Sequence, residues 1–172
     1  TNDGGVTWSA ASVVSPPTSA GHHHQGCDVR VGPGGVVHVV WANCTTNGQN
    51  STEDSLGYAR SNDGGVTWAF TSNHVANMNG IRTSNLVNGI RCNGFPRLDI
   101  DKTGGPRNGW LYVVAAEKNF APALDNSDVV LMRSTNNGAT WTRTRVNQDP
   151  SGKLNYMPAV RVDDCGGVNV VY

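Results

Sequence analysis

Charge is scarce in this chain. Only 15% of its 172 residues are Asp, Glu, Lys or Arg, against roughly 25% in an average globular protein. Basic and acidic residues balance at 13 each, so net charge gives no support to nucleic acid or an anionic membrane as partner. Glutamate is nearly missing, with Glu53 and Glu117 the only two. No apolar run approaches the roughly 20 residues of a membrane-spanning helix. No basic-then-apolar leader opens the chain, so a signal peptide is expected to be absent or already removed. Convincing helical periodicity is lacking over any window of about ten residues. The four cysteines, Cys27, Cys44, Cys92 and Cys165, form no CxxC pair with zinc spacing. Their even number in a low-charge chain points to an oxidising compartment and to disulfides, with all three pairings open. Asn43-Cys44-Thr45 and Asn50-Ser51-Thr52 fit the acceptor pattern for N-glycosylation, compatible with export.

What the chain does contain is glycine, 21 of them, recurrent Asn-Gly pairs and abundant valine. That mixture favours many short strands joined by tight turns. It also contains repeats. The octet TNDGGVTW opens the chain, SNDGGVTW returns at 61–68, and STNNGATW stands at 134–141. A second motif recurs as CDVRVGPGGVVHVVW (27–41), PRLDIDKTGGPRNGWLYVVA (96–115) and PAVRVDDCGGVNVVY (158–172). Each copy alternates apolar and polar residues, turns through Gly-Gly and alternates again, the period-two pattern of a hairpin with one buried face. In this alignment Val29, Leu98 and Val160 correspond, as do Val31, Ile100 and Val162.

In chain order the elements read as a last strand over 6–14, a four-stranded unit over 27–72, a second over 97–146, and two strands over 158–172. Four antiparallel strands per repeat predict an all-β fold built as a partial β-propeller. Propellers close with roughly four to eight blades, so these residues are expected to be a segment of a larger propeller, or of an assembly that completes it. The octets fall between the third and fourth strands of a unit. Their Ser or Thr and Asp suit bonding to turn N–H groups, the glycine at position five suits positive φ, and the tryptophan suits burial against a neighbour. Asn136 replaces Asp in the third copy and can still accept those bonds.

The octet pattern resembles the Asp box, or BNR repeat, of the sialidase-like propellers. The matching positions are Thr1, Asp3, Gly5 and Trp8; Ser61, Asp63, Gly65 and Trp68; and Ser134, Asn136, Gly138 and Trp141. The resemblance assigns these residues a structural role, away from the face that holds the ligand. That face would collect 15–26, 43–54, 73–95, 116–127 and 147–157. The family grips a substrate carboxylate with three arginines and uses an acid/base residue and a Tyr–Glu pair. The positions available for such work are Arg82, Arg91, Glu117 and Tyr156, none in a family-specific context: GFPRL at 94–98 holds the letters of the family's arginine motif in another order.

Two metal readings also arise. His22 and His24 point to one side of an extended segment and would need a third ligand such as Asp28; a solvated loop competes with this. Asp99 and Asp101, with Asp163 and Asp164, could offer oxygen ligands to calcium, although turn capping explains them better. His38 alternates with valines and reads as a satisfied interior histidine. By resemblance, the expected function is an extracellular or cell-surface scaffold that binds carbohydrate or protein. Part of a secreted glycoside hydrolase of exo-sialidase type is the first alternative, and a structural subunit of a surface layer or filament is the second. Expected partners are further blades or subunits, with a glycan or surface protein as ligand, and no nucleic acid or membrane span.

Overall fold

The computed structural model describes residues 1, 3–45, 51–82 and 89–172. Within them the fold is all-β, with antiparallel four-stranded sheets and a single 3-10 turn at Pro33–Gly35. Sheet one consists of β1 (His23–Val31), β2 (Val37–Thr45), β3 (Thr52–Ser61) and β4 (Phe70–Asn77), hydrogen-bonded in that order. Sheet two repeats the order with β5 (Arg97–Ile100), β6 (Leu111–Glu117), β7 (Asp128–Ser134) and β8 (Thr142–Arg145). A hairpin of β9 (Ala159–Val162) and β10 (Val168–Val171) follows.

Side-chain alternation decides how these pieces stack. In β2, Val40 points to one face of sheet one, where it joins Leu56, Tyr58 and Met78. Those side chains meet Leu98, Ile100, Leu111, Val113, Ala115 and Met132 of sheet two. The opposite face of sheet two places Tyr112, Val114 and Val129 against Val160, with Leu131, Val162, Val168 and Val170 alongside. Sheet two is therefore covered on both sides. That explains why LYVVAAE in β6 is buried at every position and does not alternate. Each fully buried Val, Leu or Ile here contributes about 1.5–3 kcal/mol relative to exposure. The leading strands lie side by side, β1 against β5 and β5 against β9. Their contact is polar as well as apolar: Asp28 accepts the Leu98 N–H at 3.0 Å, and Asp99 accepts that of Val162 at 2.8 Å.

Each octet closes on itself. In the second, Gly65 N–H donates to Ser61 Oγ at 2.8 Å, Ser61 Oγ–H to Asp63 at 2.7 Å, and Thr67 N–H to Asp63 at 2.8 Å. The same bonds form in the first octet through Thr1, Asp3, Gly5 and Thr7, and in the third through Ser134, Asn136, Gly138 and Thr140. The Asn136 amide also donates to Thr140 Oγ1 at 2.9 Å, reversing the sense of the Thr67 hydroxyl bond to Asp63. The hydroxyl and amide of Thr67 hold the Asp63 carboxyl down at about 2, and Asp3 is lowered by the same kind of bonds.

Several expectations are corrected. Residues 6–14 form no strand among the described residues; the segment is largely exposed, and near Pro16 and Pro17 it touches β4 through side chains of Thr71 and Asn73. Its contacts to β4 run through the side chains of Thr71 and Asn73 and not through a backbone ladder, and Pro16 and Pro17 lack the N–H donors that a ladder needs. Trp8 is consequently 77% exposed and packs on no neighbouring sheet, whereas Trp141 packs edge-on against Tyr58. The four cysteines are free: Cys27 in β1 and Cys165 in the β9–β10 turn are exposed, and Cys44 in β2 and Cys92 in the loop before β5 are buried. No disulfide staples the described residues. The sheets stack without closing on themselves among those residues.

Candidate functional site

The ends of the sheets opposite the second and third octets gather the residues of chemical interest. Between sheets one and two runs the segment Met78–Arg82, held by two buried glutamates. Glu53 at the start of β3 accepts the N–H of Gly94 at 2.9 Å and that of Arg82 at 3.2 Å. Its own carbonyl receives the Gly80 N–H at 2.9 Å. Glu117 at the end of β6 accepts the Asn79 N–H at 2.9 Å and pairs with the Arg143 guanidinium. The Lys118 N–H donates to Asn79 O at 2.7 Å, and Gly80 bridges to Glu117 as an isolated ladder step. Gly80 leaves room for this: a Cβ there would sit 2.0 Å from a Glu53 carboxylate oxygen.

Burial raises the Glu117 carboxyl, against the lowering effects of Arg143 and the Asn79 amide. One of its oxygens, Oε1, has no partner among the described residues. Arg143 in turn lies over the Phe120 ring, 5.0 Å from its centroid. Both glutamates are fully buried and anchored by backbone, so neither presents a carboxyl to a ligand in solution. Their arrangement fixes the segment between the sheets.

Arg82 differs. Its guanidinium donates to His23 Nε2 at 3.0 Å and to Ser51 Oγ at 3.4 Å, both neutral acceptors. Among the described residues no carboxylate lies within ion-pair distance of it. Cys44, paired with His23 across the ladder, is buried beneath, and burial pushes its thiol up. Tyr156 packs on the small cluster of Ile81, Cys92 and Ala116, and Arg91 is exposed beside Cys92. The structure thus brings Arg82, Glu117 and Tyr156 around one short segment and leaves Arg91 at the surface. The 43–54 and 73–95 segments lie in part outside the described residues, including Asn50 of the second sequon. Asn43 of the first is bonded to Asp54 and Ser55 at 3.3 and 3.2 Å, so it is already engaged.

The metal candidates do not converge. His22 faces Asp54 at 3.8 Å, His24 lies 5.6 Å from the Trp41 ring, and Asp28 is taken by Arg30 and the Leu98 amide. Burial, ahead of other effects, lowers the pKa of His24. Among the described residues no group of three His, Cys, Asp or Glu is placed to hold a metal ion. Asp101 caps Thr103, and Asp163 caps Cys165 and Gly167. They accept turn N–H groups as capping carboxylates do. A cleft of about 490 Å³ between these turns is lined by Asp99, Asp163 and Asp164 together with Lys102. His38 is satisfied by Tyr58 at 2.8 Å, and burial, then the charge of Arg60, pushes it down to about 4.

Sequence reasoning missed Glu53, His23, Ser51 and Arg143. Strand parity could not find Glu53: the ladder shifts register between Asn43 and Cys44, so Glu53 pairs with Cys44 and does not follow the alternation of LGYAR. Arg143 did carry a signal, two residues beyond Trp141 in a strand.

No family model and no curated protein matches the chain. Among solved structures, a complex of BT0996 and RGII matches at 15% identity with a TM-score of 0.45, over 88% of this chain and 46% of the matched one. This chain therefore spans under half the length of the matched one. No helix among the described residues is long and apolar enough to cross a membrane.

Proposed function

We propose that the chain is part of an Asp-box repeat propeller of the sialidase-like type, working outside the cell as a scaffold that binds acidic carbohydrate. Support for the architecture comes from three octets with one hydrogen-bond plan and from sheets stacked in chain order with leading strands side by side. The observation that carries the binding reading is the contrast between Arg82 and the two glutamates. The arginine fork faces neutral partners and is suited to a ligand carboxylate. The only two glutamates are sealed under backbone amides and Arg143, which leaves no glutamate for acid/base work. Its partners are further sheets of the same kind, with a glycan or surface protein as ligand.

An array of neutral, sialylated and uronate glycans tests this. Binding confined to carboxylated glycans, lost in Arg82→Ala and weakened by salt, is the expected result. Equal binding of neutral glycans, or none to any, would overturn it. The second reading, a piece of a glycoside hydrolase, draws on the meeting of Arg82 and Tyr156 around one segment. Turnover of a fluorogenic sialoside, abolished by Arg82→Ala, would favour that reading.

A further inference from the structure

Two neighbouring carboxylates at one end of sheet two each keep a buried oxygen that nothing bonds among the described residues. Asp128 opens β7 and is fully buried; Asp125 precedes it in the β6–β7 loop. The two carboxyl groups lie within hydrogen-bonding reach of each other. One oxygen of each is engaged. Asp128 Oδ1 accepts Arg145 Nε–H at 2.6 Å and the Asn147 amide at 2.9 Å, and Asp125 Oδ2 accepts the Gly152 N–H at 2.8 Å. The other two, Asp128 Oδ2 and Asp125 Oδ1, are closed to water and have no donor.

Ionised carboxylates accept hydrogen bonds and cannot donate them. A pair at this separation is therefore repulsive until a proton or a cation stands between. The Gly152 amide, ahead of other effects, lowers the Asp125 carboxyl and so favours its charged form. The surrounding charge favours a cation as well. Asp149, held by the amides of Asn147 and Asn155, adds its charge nearby, and the guanidinium of Arg145 is the one positive group bonded into the cluster. Three carboxylates less one guanidinium leave two negative charges, the complement of one divalent ion. Carboxylate oxygens are hard ligands, suited to calcium or magnesium. Magnesium holds on to several of its waters, whereas calcium takes protein oxygens in irregular shells. Two oxygens closed to water therefore suit calcium better.

We infer that Asp125 and Asp128 bind a calcium ion that ties the β6–β7 loop to the loop between β8 and β9. Among the described residues no third His, Cys, Asp or Glu is placed to join them, so loop carbonyls and water complete a shell of about six to eight oxygens. The two loops already meet: the Asn155 N–H donates to Ser127 O at 3.2 Å, and the Ser127 hydroxyl to Asn155 O. The ion locks together segments that the fold has brought side by side. This site is independent of glycan binding, and a silent glycan array leaves it intact.

Calorimetric titration of the intact chain, first stripped with a chelator, tests it with calcium chloride and then magnesium chloride. Expected is one calcium per chain with a Kd of about 10⁻⁴–10⁻³ M, the weak end of protein calcium sites, and weaker binding of magnesium. Calcium should also raise the melting temperature, since it binds the folded state alone. Asp125→Asn keeps an oxygen for the Gly152 N–H and should keep its circular dichroism while losing both effects. Asp164→Asn, in the separate acidic cleft beside Lys102, should lose neither. Wild type without calcium heat overturns the inference, as does binding that survives Asp125→Asn, that disappears in Asp164→Asn, or that is as tight for magnesium. A melting temperature that ignores calcium and rises on mild acidification marks a shared proton, and overturns it too. Should Asp125→Asn fail to fold, hydrogen exchange of wild type takes its place: calcium is to slow the amides of Gly152 and Asn155, and unchanged exchange there counts against the site.

Discussion

The Tyr58 hydroxyl of sheet one donates to the carbonyl of Asn137 in the third octet across 3.1 Å. With that proton committed, His38 Nδ1 is the donor in the 2.8 Å bond to the same oxygen. A buried relay thus runs from β2 through β3 to the turn of the next sheet. Gly138 seats the turn: its φ is 82°, and a Cβ there would lie 2.1 Å from a Tyr58 ring carbon. Tyr58→Phe should therefore cost about 1–3 kcal/mol, by stranding buried polar groups. Gly138→Ala should cost more, since it adds a left-handed strain and a ring clash. Urea denaturation of both variants measures the order; a Tyr58→Phe protein as stable as wild type would contradict the relay.

His38 makes stability depend on pH. Burial, then Arg60, holds its folded pKa at about 4, below the unfolded value of 6.5. Between those values the unfolded state binds the extra proton, so stability falls as pH drops from 6.5 towards 4 and levels off below. The full span amounts to roughly 3 kcal/mol. Denaturation midpoints across this range should slope in wild type and flatten in His38→Gln.

Arg143→Met should expose how burial and Arg143 oppose each other at the Glu117 carboxyl. Burial raises this carboxyl, and Arg143 is the main force opposing it. Removing the guanidinium leaves a buried charge, which costs about 3–5 kcal/mol at neutral pH. A raised carboxyl is stabilising below its unfolded pKa and loses that contribution as pH climbs through the folded value. The variant's deficit should accordingly be largest at neutral pH and shrink on acidification, and Glu117→Gln in the same chain should recover much of it. Thermal melts of the wild type and the two variants at several pH values decide this.

In the octets, the identity of the third residue can be tested directly. Asn136 already accepts the Thr140 amide at 2.9 Å, so Asp63→Asn should keep the second turn. Asp63→Ala should release it, because the Thr67 amide loses its acceptor. Hydrogen exchange at Thr67 should be slow in the first variant and fast in the second.

The sequence made these elements unequally legible. The alignment of Val29, Leu98 and Val160 reappears as one register, because period-two alternation in a hairpin with a fixed glycine turn leaves little freedom. The strand read over 6–14 had its octet but no third strand to pair with, and pairing is a relation that one segment cannot announce. β6 reads in the sequence as an alternating strand of a hairpin with one buried face, whereas it is buried at every position because sheet two is covered on both sides. Around the candidate site, Arg82 stood out as a loop arginine. Its neighbours His23 and Ser51 come from 59 and 31 residues away, a distance that only the fold collapses. The glutamate scaffold of Met78–Arg82 was equally hidden, since its partners are backbone amides with no signature in the letters.

Sheet two is dry on both faces, while its neighbours each turn one side to water. Opening it demands that two contacts part at once; opening either flank demands one. Local unfolding will therefore begin at the flanks and travel inward, and the amides of β6 will be the last in the molecule to exchange with solvent.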